Sequence, residues 1–140
     1  MIVQGQDLLP VLLQIALTLA SYVALARAKS KALALGQVDE VRRALHSDAW
    51  PDSVIKINNN IRNQFETPVL FYVLVLVLLN LGAVGWLTQL LAWLFVLSRI
   101  AHTLVHTGTN QLPLRRRLFT FGCVVLILMT ALAAWVLVIG

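Results

Sequence analysis

Four long apolar stretches, at about residues 8–26, 66–81, 86–105 and 118–139, alternate with polar ones along this 140-residue chain. A helix needs about 20 mostly apolar residues to cross roughly 30 Å of hydrocarbon, so each stretch has the size of a transmembrane helix. The second is short if it starts at Glu66, and its helix is therefore predicted to reach back to about Val54. The spans expected are about 8–26, 54–81, 86–106 and 115–139, with a cytoplasmic loop at about 27–53. The chain reads as an all-α membrane protein, a single four-helix transmembrane bundle over residues 1–140.

Local signals refine this plan. Pro10 stands close enough to the start of the first span to be tolerated in its first turn. In the loop, a helical turn is predicted near 38–45, capped from the Asp39 and Glu40 side. Ser53, preceded by Asp52, is the expected N-cap of the second helix. Pro68 follows Glu66-Thr67, removes one backbone donor and predicts a kink that opens space beside Glu66. The link Asn80-Leu-Gly-Ala-Val-Gly85 is short, which makes spans two and three an antiparallel hairpin.

Composition supports the membrane reading. Hydrophobic residues make up 59% of the chain and charged residues 12%, against about 25% charged in a soluble domain; the mean hydropathy is +0.83. The first span lacks the basic flank and small-residue cleavage site of a secretory signal, so it is expected to stay in the mature protein. The lone Cys123 excludes an intramolecular disulfide and a cysteine-based metal site, and is expected to be a small buried hydrophobe. His46 reads as a solvated loop histidine, without a second metal ligand at helical spacing.

The net charge of +5 is informative through its placement. Arg27, Lys29, Lys31, Arg42, Arg43 and Lys56 lie between spans one and two, and Arg115, Arg116 and Arg117 between spans three and four. Residues 1–7, the 80–85 link and Gly140 carry no Lys or Arg. By the positive-inside rule both basic loops are expected in the cytoplasm and both termini outside, periplasmic if the membrane is a bacterial inner membrane. The partner implied is the lipid bilayer, not nucleic acid.

Polar residues carried into apolar runs are the first functional candidates, because charges in a bilayer are costly unless paired, wet or liganded. Asn59 and Asn63 stand four apart, as do Arg62 and Glu66, on overlapping parts of one helical face. Arg99, His102 and His106, at i, i+3 and i+7, form a second stripe on span three. Two readings of the first group stay open: an internal Arg62–Glu66 salt bridge that holds helices together, or one wall of a site. Arg99 and the loop arginines at one level suggest a strongly anion-attracting mouth, and Arg27 is either an interfacial anchor or a ligand contact. Arginines for carboxylates, Glu66 for an ammonium and Asn63 for amides would suit an anionic peptide such as glutathione, although composition alone does not select it. An arginine beside its thiol would favour the nucleophilic thiolate.

Arg62-Asn63-x-x-Glu66-Thr67-Pro68 before an apolar span, then Arg99-x-x-His102-Thr103 and Pro113-Leu114-Arg115, resembles the MAPEG family, membrane-associated proteins in eicosanoid and glutathione metabolism. The resemblance covers nearly the whole chain and is similar to the bacterial-type, prostaglandin E synthase and microsomal glutathione transferase members. It implies a homotrimer of four-helix bundles with glutathione as co-substrate, held near the cytoplasmic face between subunits. By position it implies glutathione contacts at Arg27, Arg62, Asn63, Glu66 and His102, with Arg99 near the same site and Arg115 as the catalytic, thiolate-stabilising residue; His106 and Arg116, beside these, are expected to bind as well. The thiolate would attack a lipophilic small-molecule substrate, an electrophile or lipid hydroperoxide. The chain departs from the family pattern at Asn59 (often Arg), His106 and Phe119 (often Tyr), and at Arg116 (Ser in the prostaglandin synthase).

Two other functions fit parts of the pattern. A non-catalytic lipid-binding or scaffold protein of the same fold is consistent with the departures at Asn59 and His106. A small multidrug transporter would also combine four spans with one membrane carboxylate, but the cationic mouth suits lipophilic cations poorly.

Overall fold

The computed structural model describes residues 8–139 and is all-helical there. Its α-helices are α1 (Leu9–Ala34), α2 (Asp52–Gln64), α3 (Thr67–Asn80), α4 (Trp86–Thr107) and α5 (Leu112–Ile139), with a 3₁₀ turn at Ser47–Ala49. Among the described residues four helical segments are long and apolar enough to cross a membrane, with α2 and α3 together forming the second. The chain is thus a four-helix membrane bundle.

Helix α1 runs eight residues beyond the span end expected at about residue 26, with the basic segment Arg27–Lys31 in its last turns. Ala, Leu and Lys are good helix formers, and the helix stops only where Gly36 takes φ +64°. There Gly36 N–H donates to Leu33 O at 3.1 Å and Gln37 N–H to Ala32 O at 3.0 Å, the paired closure that a left-handed glycine permits. Gly82, at φ +68°, ends α3 in the same way, with Ala83 N–H donating to Leu78 O at 2.9 Å. These closures shorten the first loop to 35–51.

Within that loop the expected turn forms: Asp39 Oδ1 accepts from the N–H groups of Val41 at 3.1 Å and Arg42 at 3.2 Å. Arg42 pairs with Asp48 at 2.8 Å and Arg43 with Glu40 at 2.8 Å. The Arg42 hydrogen bond holds the Asp48 carboxyl below its ordinary range. Ser53 does not cap α2, because the helix already begins at Asp52 behind Pro51 and no side chain caps it. Asp52 itself stands in the first turn, where its charge complements the helix dipole.

At Pro68 the chain does more than kink. Phe65 and Glu66 leave the helix altogether, with Glu66 at φ −99° and ψ −98°, and α3 restarts with Pro68 in its first turn, where the missing N–H is tolerated. Helix α5 begins three residues before the expected start, so Arg115, Arg116 and Arg117 belong to its first turns.

The core gathers between α3, α4 and α5. Phe71 and Phe95 stack at 4.6 Å between centroids, surrounded by Val75, Leu78, Val96, Val125 and Met129. Gly122 lets α5 approach α4 closely: a Cβ there would lie 3.4 Å from Ser98 Oγ. Leu12, Leu19, Ile127 and Leu137 are exposed, as expected of side chains that face hydrocarbon.

Candidate functional site

The end of α2, the break after it, the lower half of α4 and the start of α5 converge on one open pocket of about 270 Å³. It is lined by Asn63, Glu66, His102, Arg115, Arg116, Phe119 and Thr120. Each element delivers its residues for a local reason. The break lifts Glu66 out of helical register, α4 turns its i, i+3, i+7 stripe inward, and the early start of α5 places two arginines at the rim.

The stripe on α4 is deeply buried: Arg99 is 1%, His102 2% and His106 3% exposed. Arg99 Nη2 donates to Asn63 O at 3.3 Å. Asn63 Nδ2 meets His106 Nδ1 at 3.3 Å, donating when that ring nitrogen carries no proton. The rings of His102 and His106 contact edge-on at 5.4 Å, and His102 lies 6.2 Å from the Phe119 ring. Arg115 Nη1 donates to Asn110 Oδ1 at 2.8 Å.

Three buried donors or acceptors have no partner in this group: Arg99 Nε, Arg99 Nη1 and His102 Nδ1. A buried polar atom without a partner costs roughly 1–3 kcal/mol, and a charged group more. Glu66 is the one carboxylate among the residues that line the pocket. Two arginines at the rim and one behind it, against that single carboxylate, give the pocket a net affinity for anions.

Other expectations are corrected by the geometry. Among the described residues the ion pairs are those of the loop, so the Arg62–Glu66 salt bridge does not form. Arg62 is exposed and does not line the pocket, and Arg27 is likewise exposed on α1. The reason for Arg62 is rotational. Adjacent helical residues point about 100° apart, so turning Asn63 toward α4 turns Arg62 outward, and Asn59 is exposed with it. Cys123 is not fully buried either. It is partly exposed and lines a second, apolar groove between α3 and α5.

A chain of amides went unrecognised in the sequence. Gln14 Nε2 donates to Gln64 Oε1 at 2.8 Å, Gln64 Nε2 to Thr103 Oγ1 at 2.9 Å, and Thr103 Oγ1 to Asn60 Oδ1 at 3.3 Å. It joins α1, α2 and α4 immediately before the helix break. Two signals were available: Gln14 alone inside an apolar run, and Asn60 and Gln64 four apart. Asn110, at φ +52°, is the other omission; its amide oxygen holds Arg115.

The family model described as "MAPEG family" matches residues 8–135, nearly the whole chain. No curated protein and no solved structure matches it.

Proposed function

The chain belongs to the MAPEG family, and on that premise we propose that it is a glutathione-dependent membrane transferase or peroxidase. The observation that carries this reading is the pocket itself. Arg115 and Arg116 face Glu66 and Asn63 across about 270 Å³, a donor and acceptor set that matches a peptide with two carboxylates, one ammonium and internal amides. The arginines take carboxylates, Glu66 takes the ammonium, and Asn63 takes an amide.

Arg115 is the residue assigned to the thiolate. Its hydrogen bond to Asn110 leaves the remaining guanidinium donors free to face the pocket, where a positive group favours the ionised sulfur. In conjugation the thiolate forms a carbon–sulfur bond to a lipophilic electrophile and the leaving group departs with the bonding pair. In peroxidase turnover, two glutathione thiols become one disulfide while a hydroperoxide becomes an alcohol and water.

Arg27 and Arg62 enter this reading through assembly. Both are exposed and outside the pocket of their own chain, and a homotrimer would let a neighbouring copy bring them to it. The same reading places the basic loops on the cytoplasmic side of a bacterial inner membrane, where glutathione is available, and both termini on the other side.

A non-catalytic binding protein of the same fold has one observation in its favour. His106, standing where relatives often carry a tyrosine, is engaged with Asn63 and offers the pocket no phenol. The two readings separate on purified protein: conjugation of glutathione to 1-chloro-2,4-dinitrobenzene, lost in Arg115→Ala, supports the enzyme, whereas binding without turnover supports the scaffold. Absence of glutathione binding by calorimetry sinks the leading reading.

A further inference from the structure

The groove between α3 and α5 is separate from the anion pocket. It measures about 370 Å³ and is lined by Thr67, Leu70, Val73, Leu74, Cys123, Leu126, Ile127 and Thr130. That volume falls within the range of about 300–1,000 Å³ common to small-molecule sites. Five of its walls are aliphatic, yet it holds the chain's only thiol and one unusual hydroxyl. Thr67 is 9% exposed, and its Oγ1 has no hydrogen-bond partner. In mid-helix a threonine hydroxyl ordinarily bonds back to a carbonyl one turn earlier. Thr67 opens α3 after the break, and Asn63 O, one turn earlier, is already shared by Arg99 Nη2 and the Glu66 N–H. The hydroxyl is therefore buried without a partner at the wall of the groove, one rotamer change from an occupant.

We propose that this groove binds a single lipid chain bearing a conjugated carbonyl, and that Cys123 is the site at which such a lipid becomes covalently attached. The aliphatic walls take the chain, Thr67 Oγ1 donates to the carbonyl oxygen, and Cys123 Sγ faces the adjacent double bond. Cys123 lines this mostly aliphatic groove and not the polar pocket one turn away on α5, so the partners it selects are lipophilic. The addition needs no oxidant or co-reactant. The sulfur forms a bond to the β-carbon, the double-bond pair moves to the α-carbon, and the proton lost by the thiol ends there. Glutathione takes no part in this step, so the inference stands or falls separately from the reading of the anion pocket.

The test is adduct formation on the intact purified protein, followed by intact mass in the absence of glutathione, with N-dodecylmaleimide and a sulfonated water-soluble maleimide as probes. The lipophilic probe is expected to add one equivalent per chain about tenfold faster, since each buried methylene favours transfer to the apolar site, and Cys123→Ser is expected to take up none. Thr67→Val is expected to slow the addition about threefold or more through loss of one hydrogen bond, and Thr67→Ser to restore it. Equal rates for the two probes, or no addition to the native protein when labelling in dodecyl sulfate is complete, overturns the proposal. So does a Thr67→Val protein that reacts as fast as the unaltered chain.

Discussion

Arg115 carries more of the site than its position at a helix start suggests. Arginine in the first turns of α5 opposes the helix dipole, so the sequence gives up a little helix stability to place it there, and Asn110 fixes where it points. Loss of a charge-assisted hydrogen bond is worth about 1.5–3 kcal/mol, or roughly tenfold to a hundredfold in affinity. Arg115→Ala is expected to weaken glutathione binding by that factor in calorimetry. Asn110 separates conformation from contact. Asn110→Gly keeps the left-handed turn and is expected to unfold nearly as the parent does, whereas Asn110→Ala strains it by about 1 kcal/mol. Both lose the contact to Arg115, so both are expected to bind glutathione more weakly.

At the scale of elements, the interruption between α2 and α3 decides which residues meet. The apolar runs made the spans legible, and the stripe Arg99, His102, His106 was legible because α4 is continuous and its period holds. A single helix from Val54 onward puts the polar group of span two on one face. Across the break that period no longer applies, so Glu66 reaches the pocket, whereas Arg62, still within α2, is turned outward beside Asn63. The amide chain beside the break fastens it to α1 and α4. Gln64→Leu strands the Gln14 amide and takes a donor from Thr103 Oγ1, which keeps its bond to Asn60, and is expected to cost about 1–3 kcal/mol. Gln14→Leu with Gln64→Leu removes both amides and is expected to cost less than the sum of the single changes. Thermal unfolding in detergent reads both. In the loop, Arg42 holds the Asp48 carboxyl below its ordinary range. The pair therefore adds local order above the free carboxyl value of about 3.9, and that order is lost as pH falls through the depressed value. NMR titration of Asp48 in Arg42→Ala is expected to show the carboxyl return toward its free value.

For the whole molecule, the helical plan followed from hydropathy, but the site did not follow from the chain alone. A bundle that buries Arg99 with two donors unpartnered and leaves Arg27 and Arg62 exposed fits the proposed anionic ligand and the proposed assembly. Span ends were less legible than spans, because basic residues that signal an interface are also good helix formers, and only Gly36 marks the true end of α1. The central claim is that the pocket between α2, α4 and α5 binds glutathione through Arg115. Calorimetry of glutathione against the detergent-purified protein, beside the Arg115→Ala variant, tests this most directly. Saturable binding that weakens roughly tenfold to a hundredfold in the variant is the predicted result; no binding to the parent protein, or equal binding to both, contradicts it.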